Sequence, residues 1–177
     1  MKMLVAFFSA TGTTGVAAKE LAKAINADIY EIIPENPYTN EDLDWKNPNS
    51  RSSVEMKDES SRPAIGSAKI ENINQYDLIF LGYPVWWDLA PHIINTFLES
   101  YNFSGEKIVL FATSNGNTFG EAAEKLRPSA PGAEVFKGAI LDGTESEEYL
   151  KNFADQFVMI DRTRAAMKKL EESGYLS

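Results

Sequence analysis

Met3-Leu4-Val5-Ala6-Phe7-Phe8 runs directly into Ser9-Ala10-Thr11-Gly12-Thr13-Thr14-Gly15, and the reading of that junction decides the fold. A short apolar run without alternation is the pattern of a strand covered on both faces, as in a parallel sheet. The residues that follow have a helical period, with Ala17, Leu21, Ala24 and Ile25 on one face. The order is therefore strand, hydroxyl-rich turn, helix. Backbone N–H groups at such a helix start point outward and the helix dipole favours negative charge, so the turn can hold a phosphate without a basic side chain. A single hydroxyl there would be an ordinary N-cap. Ser9, Thr11, Thr13 and Thr14 together, with Gly12 allowing close backbone approach, point to a phosphate site instead. The chain has no GxGxxG here and no P-loop lysine, which argues against nucleoside triphosphate hydrolysis.

Working outward, the same alternation recurs. Residues 78–81 (Leu-Ile-Phe-Leu) and 108–112 (Ile-Val-Leu-Phe-Ala) are further unalternated runs. Weaker strands fit 29–33, stopped by Pro34, and 135–141, stopped by Asp142-Gly143. Helical spacing joins Ile94, Phe97, Leu98 and Tyr101, and helices are expected over 119–126 and 146–170, the last with a break near Asp161. Alternating strands and helices predict one α/β domain over 1–177. Its core is a doubly wound five-stranded parallel sheet with helices on both faces, which binds its ligand at the carboxyl ends of the strands. The connection 34–74 between strands two and three is longer than a crossover needs. It reads either as a surface excursion with one or two short helices or as a cover over the binding site.

Two further loops fall at that edge. Gly82-Tyr83-Pro84-Val85-Trp86-Trp87-Asp88-Leu89-Ala90-Pro91 carries adjacent tryptophans, which cannot both face the core. One is expected to pack under the following helix and the other to offer its ring and indole N–H to a ligand, with Pro91 in that helix's first turn. Thr113-Ser114-Asn115-Gly116-Asn117-Thr118-Phe119-Gly120 is small and hydroxyl-rich; alone it reads equally as a plain loop with Thr118 as a cap, and its position beside the other two strengthens it. His92 reads as a satisfied side chain, since no nucleophile turn or triad accompanies it. The acidic stretches 41–44 and 145–148 read as solvated faces and helix starts and lack calcium-loop spacing.

Lys and Arg number 17 against 26 Asp and Glu, a net charge of −9, which disfavours nucleic acid and anionic membranes as partners. Zero cysteines exclude disulfides, thiol nucleophiles and thiolate metal sites, and one histidine excludes a multi-histidine centre. The apolar start is too short for a signal peptide and no run is long enough to span a bilayer, so a cytoplasmic location is expected.

Ser9-Ala10-Thr11-Gly12-Thr13-Thr14 resembles the flavin phosphate loop of the flavodoxin family, S/T-x-T-G-x-T placed right after the first strand, and the similarity spans nearly the whole chain. The resemblance implies strand order 2-1-3-4-5 and flavin mononucleotide (FMN) as cofactor. It implies that Ser9, Thr11, Gly12, Thr13 and Thr14 hold the phosphate. Pro84, Val85, Trp86 and Trp87 would border the isoalloxazine ring from one loop, and Thr113, Ser114, Asn115, Gly116, Phe119 and Gly120 from another. The compact 135–141 segment lacks the insertion that splits the fifth strand in long-chain members, which implies a short-chain form. Two features depart from the carriers of the family. The 113–120 loop offers only Phe119 as an aromatic, leaving one flavin face open, and Pro84-x-x-Trp87-x-x-x-Pro91 is similar to the flavin loop of NAD(P)H:quinone oxidoreductases. Electron transfer with a redox partner protein is thus the leading expectation. An FMN-dependent NAD(P)H or quinone oxidoreductase is the alternative, and a non-redox module for another phosphorylated ligand the third. In both redox readings the flavin performs the chemistry and no catalytic side chain is needed.

Overall fold

The structure is a computed structural model describing residues 1–114, 116 and 118–175. Its elements run β1 (Met3–Phe7), α1 (Thr13–Ile25), β2 (Asp28–Glu31), α2 (Arg51–Lys57), β3 (Leu78–Pro84), α3 (His92–Glu99), β4 (Lys107–Thr113), α4 (Ala122–Leu126), β5 (Glu134–Ile140) and α5 (Glu147–Glu172). The strands form one parallel sheet, as the alternation of strands and helices predicts, in the order β2-β1-β3-β4-β5 that the family resemblance implies.

Alternate residues of the buried strands feed two cores. Leu4, Ala6, Ile79, Leu81, Ile108 and Leu110 face a layer that includes Ile93, Ile94, Phe97 and Leu98 of α3. Val5, Phe7, Phe80, Val109 and Phe111 face Leu21 of α1 and Leu150, Phe153 and Phe157 of α5. Both sides of β1, β3 and β4 are thus dry, which is why their sequences show no polar alternation.

Some boundaries differ from expectation for identifiable reasons. The second strand begins at Asp28 and ends at Glu31, although Ile32 still donates to Phe7 O at 2.7 Å. Helix α4 starts at Ala122 rather than 119, because Gly120 sits at φ 50 in a turn, and it closes in a 3-10 turn at Arg127–Ser129. Helix α5 runs unbroken past Asp161. Ser146 caps it by accepting from the Tyr149 N–H at 3.1 Å. Asp161 pairs with Lys107 at the start of β4 and Arg164 with Glu134 of β5 at 2.7 Å, so the helix's later turns are fastened to the amino ends of two strands.

The 34–74 connection holds α2, a 3-10 turn at Ile73–Gln75 and an antiparallel bridge between Pro34 and Ile65. It is tied down along its length. Arg51 lies over the Tyr38 ring at 3.8 Å while pairing with Glu55 at 2.9 Å. Arg62 pairs with Glu99 of α3 at 2.8 Å, and Ser61 Oγ lies 2.6 Å from His92 Nδ1. His92 is therefore satisfied by the connection. Among the described residues, no helix is long and apolar enough to cross a membrane.

Candidate functional site

The turn after β1 is folded around one hydroxyl. Ser9 Oγ accepts from the N–H groups of Gly12 at 3.1 Å and Gly15 at 3.0 Å, and the Val16 N–H closes the first helical bond to Gly12 O at 3.1 Å. Thr14 is buried and its Oγ1 lies 2.7 Å from that of Thr113 at the end of β4. The N–H groups of Thr11, Thr13 and Thr14 find no acceptor among the described residues. These donors converge on the start of a 13-residue helix with no acidic residue in its first turn. Gly12 adopts φ 96, which disfavours any side chain, and a Cβ there would meet nothing within 4 Å. The space facing the turn is open, and its unpaired donors and dipole suit a phosphate dianion.

After β3 the chain makes a tight turn. Trp86 and Leu89 exchange backbone hydrogen bonds at 2.9 and 3.0 Å, enclosing Trp87 at φ 48 and Asp88 at φ 60. Positive φ at two successive residues is the geometry of a two-residue I′ turn, and a tryptophan there is strained. The two indoles have different surroundings. Trp86 meets Phe8 and Tyr38 edge-on at 5.8 and 5.5 Å, whereas Trp87 is 48% exposed. One tryptophan packs inward as expected, on the core layer that includes α3, with Phe8 after β1 and Tyr38 of the 34–74 connection as its ring neighbours. Gly120 abuts this turn: a Cβ on it would lie 2.3 Å from Asp88 O.

Between these loops, at the carboxyl edge of the sheet, opens a cleft of about 690 Å³. From the expected set, Thr11 and Thr13 line it on one side and Pro84, Val85, Trp86 and Trp87 on another. Thr113, Ser114 and Gly116 close a third side. Ser9, Gly12 and Thr14 do not line the cleft but shape the turn after β1. Phe119 packs, half-buried, on the core, and Gly120 abuts the 86–89 turn. Asn115 lies outside the described residues.

Sequence reading missed several lining residues. Leu141 and Asp142 follow β5, and the rule placing ligands at strand carboxyl ends could have found them. Leu43 and Ser52 come from the 34–74 connection together with Trp45, which the sequence already offered as part of a cover over the site; the connection is both a surface excursion and a wall of the cleft. Ser52 Oγ is buried with no partner among the described residues, an unmade hydrogen bond beside the cleft. Leaving such a group unpaired costs about 1–3 kcal/mol, which a polar ligand would offset.

No basic side chain lines the cleft among the described residues, while Asp88 and Asp142 do. The hydroxyl and N–H of Thr144 donate to Asp142 at 2.6 and 2.8 Å and hold its carboxyl below the usual range, so it is ionised at neutral pH. An anion in this cleft would therefore be held by backbone N–H groups.

A family model described as flavodoxin matches residues 2–157. Among solved structures, a protein assigned as a flavoprotein from Bacteroides eggerthii DSM 20697 is 49% identical, with a TM-score of 0.81, covering 87% of this chain and 96% of its own. Another so assigned, from Bacteroides uniformis ATCC 8492, is 48% identical with a TM-score of 0.80, covering 87% and 97%. A flavoprotein from Lactobacillus acidophilus NCFM, solved in complex with FMN, shares the fold at 23% identity and a TM-score of 0.63, covering 81% and 95%. No curated protein matches the chain.

Proposed function

The chain belongs to the flavodoxin family, and from that premise we propose that it binds FMN in the cleft above β1, β3 and β4 and carries electrons. The observation that carries this reading is the set of N–H groups of Thr11, Thr13 and Thr14 at the start of α1, unpaired among the described residues, opening into a cleft of about 690 Å³ with tryptophan on its wall. Bound FMN supplies one- and two-electron redox chemistry. The chain's own residues bind, orient and set the charge around it. The N–H groups of the 11–14 turn and the hydroxyls of Thr11 and Thr13 would hold the phosphate. The Pro84–Trp87 and 113–116 loops would border the ring, with Ser52 Oγ a further hydrogen-bonding group. The carboxylates of Asp88 and Asp142 raise the cost of additional negative charge in the cleft, which lowers the potential at which a bound group accepts it. The acidic surface also attracts a positively charged redox partner.

A second reading, an FMN-dependent NAD(P)H or quinone oxidoreductase, is favoured by the exposure of Trp87 and the openness of the cleft beside it, which leave room for a small molecule. One experiment tests both. The protein is titrated with FMN by fluorescence, then treated with NADPH and NADH without oxygen while the visible absorption is followed. Stoichiometric FMN uptake, no bleaching by either nucleotide and reduction by dithionite are expected of the carrier. Prompt bleaching that a quinone reverses over many turnovers makes the chain the oxidoreductase instead. Failure to take up FMN overturns both readings.

A further inference from the structure

Next to the cleft lies a second cavity of about 340 Å³, and Trp45 and Trp87 border both. We infer that this second cavity is a binding site for a small planar aromatic anion, separate from the phosphate-binding cleft.

Its walls supply the aromatic preference. Trp45 and Trp87 are joined there by Pro48, Met56 and Leu89. Both indoles are unusually open for their size, Trp45 at 67% and Trp87 at 48% exposure, and Trp87 is held at φ 48 besides. A flat ring against them buries apolar area that the chain alone leaves in water. The volume lies at the small end of ligand pockets and suits a ligand of one or two rings.

The charge preference comes from Lys46 and Lys57, the only charged residues lining the cavity among the described residues, in a chain of net charge −9. The larger cleft is lined by Asp88 and Asp142 instead, so the two neighbouring cavities differ in sign. Lys46 Nζ sits 5.4 Å from the centroid of the Trp45 ring, and Lys57 Nζ donates to Pro48 O at 3.1 Å. The Asp44 carboxylate takes the Lys46 backbone N–H at 3.2 Å rather than its ammonium. Among the described residues neither lysine pairs with a carboxylate. Both positive charges are available to a carboxylate or sulfonate whose ring lies on the indoles.

The cavity is built from the 34–74 connection and the 86–89 turn and contains nothing of the phosphate turn, so the inference does not rest on the flavin reading. The probe is 2-naphthoate, titrated into the full chain with and without FMN, followed by calorimetry and tryptophan fluorescence; neutral 2-naphthylmethanol is the control. Saturable one-to-one binding is expected in both states, with indole quenching. Affinity is expected to be about fivefold or more lower for the alcohol and in K46Q/K57Q, and to fall as salt is raised. Trp45→Ala, at an exposed side chain, loses binding as well. Thr13→Glu retains naphthoate binding even where FMN binding is lost, which separates this site from the flavin reading. No saturable binding, equal affinity for acid and alcohol with K46Q/K57Q unchanged, or stoichiometric competition with FMN would each overturn the inference.

Discussion

The hydroxyls of Thr14 and Thr113 lie 2.7 Å apart, both residues are buried, and the contact fastens the start of α1 to the end of β4 across β3. Two walls of the cleft are thereby joined through a side-chain bond that neither loop could supply alone. Thr113→Val leaves Thr14 Oγ1 buried and unpaired, at a cost of about 1–3 kcal/mol. Thr14→Val does the same in reverse, and the double variant is expected to cost less than the sum of the singles. Urea denaturation of the four proteins checks this; strict additivity would mean that the two hydroxyls do not depend on each other.

Thr13 is exposed at the mouth of the phosphate turn, so Thr13→Glu should fold normally. It places a carboxylate among the N–H groups proposed for the phosphate, and FMN affinity should fall well over tenfold through repulsion and lost hydrogen bonds. Unchanged affinity in a flavin-fluorescence titration would move the phosphate elsewhere.

The tryptophans should respond in opposite ways. Trp86→Ala removes a ring packed between Phe8 and Tyr38 and is expected to cost about 2–4 kcal/mol of stability. Trp87→Gly relieves a side chain at φ 48 and is expected to gain up to about 1 kcal/mol while weakening FMN binding. Thermal melts and flavin titrations on both variants distinguish the packing ring from the one proposed to face the ligand.

Gly120→Ala adds a methyl group that would lie 2.3 Å from Asp88 O at a residue already at φ 50. The 113–120 loop and the 86–89 turn must then separate, with a stability loss of about 1–3 kcal/mol and a wider cleft that holds FMN less tightly. A variant with unaltered melting temperature and affinity would show that this contact is not needed.

Burial, and then the nearby Arg62 guanidinium, hold the His92 imidazole below its usual value of 6.5. Ser61 Oγ donates to Glu55 O at 2.7 Å, so the 2.6 Å contact is made by the His92 Nδ1–H donating to that oxygen. The folded state therefore binds fewer protons than the unfolded chain as pH falls from about 7 towards 5, and stability that is complete above about 6.5 is lost over that range. The lowered carboxyls of Asp58, Glu124, Asp142 and Glu147 act in the same direction but at lower pH. Urea midpoints measured across that window should drop, and His92→Gln should flatten the drop.

How much of the site could be read beforehand varied with its distance from a strand end. The 9–15, 84–87 and 113–116 segments each follow a buried strand directly, so the strand that is legible in the sequence also places the loop. Phe119 lies further from a strand end, and its ring packs half-buried on the core beside the turn at Gly120. The break expected near Asp161 does not occur, and the ion pairs of Asp161 with Lys107 and of Arg164 with Glu134 that fasten the helix there join residues far apart in sequence.

By itself the sequence determined the strand and helix order, the parallel sheet and the turn after β1, because a strand buried on both faces must be apolar throughout and a tight turn into a helix requires particular residues. Only the tertiary structure decided that Leu43 and Ser52 reach the cleft, that Trp86 packs inward while Trp87 stays open, and that a lysine-lined cavity adjoins the acidic cleft. Those outcomes depend on where a long polar connection folds back against the sheet, and contacts such as Tyr38 with Trp86 or Ser61 with His92 leave no periodic trace along the chain.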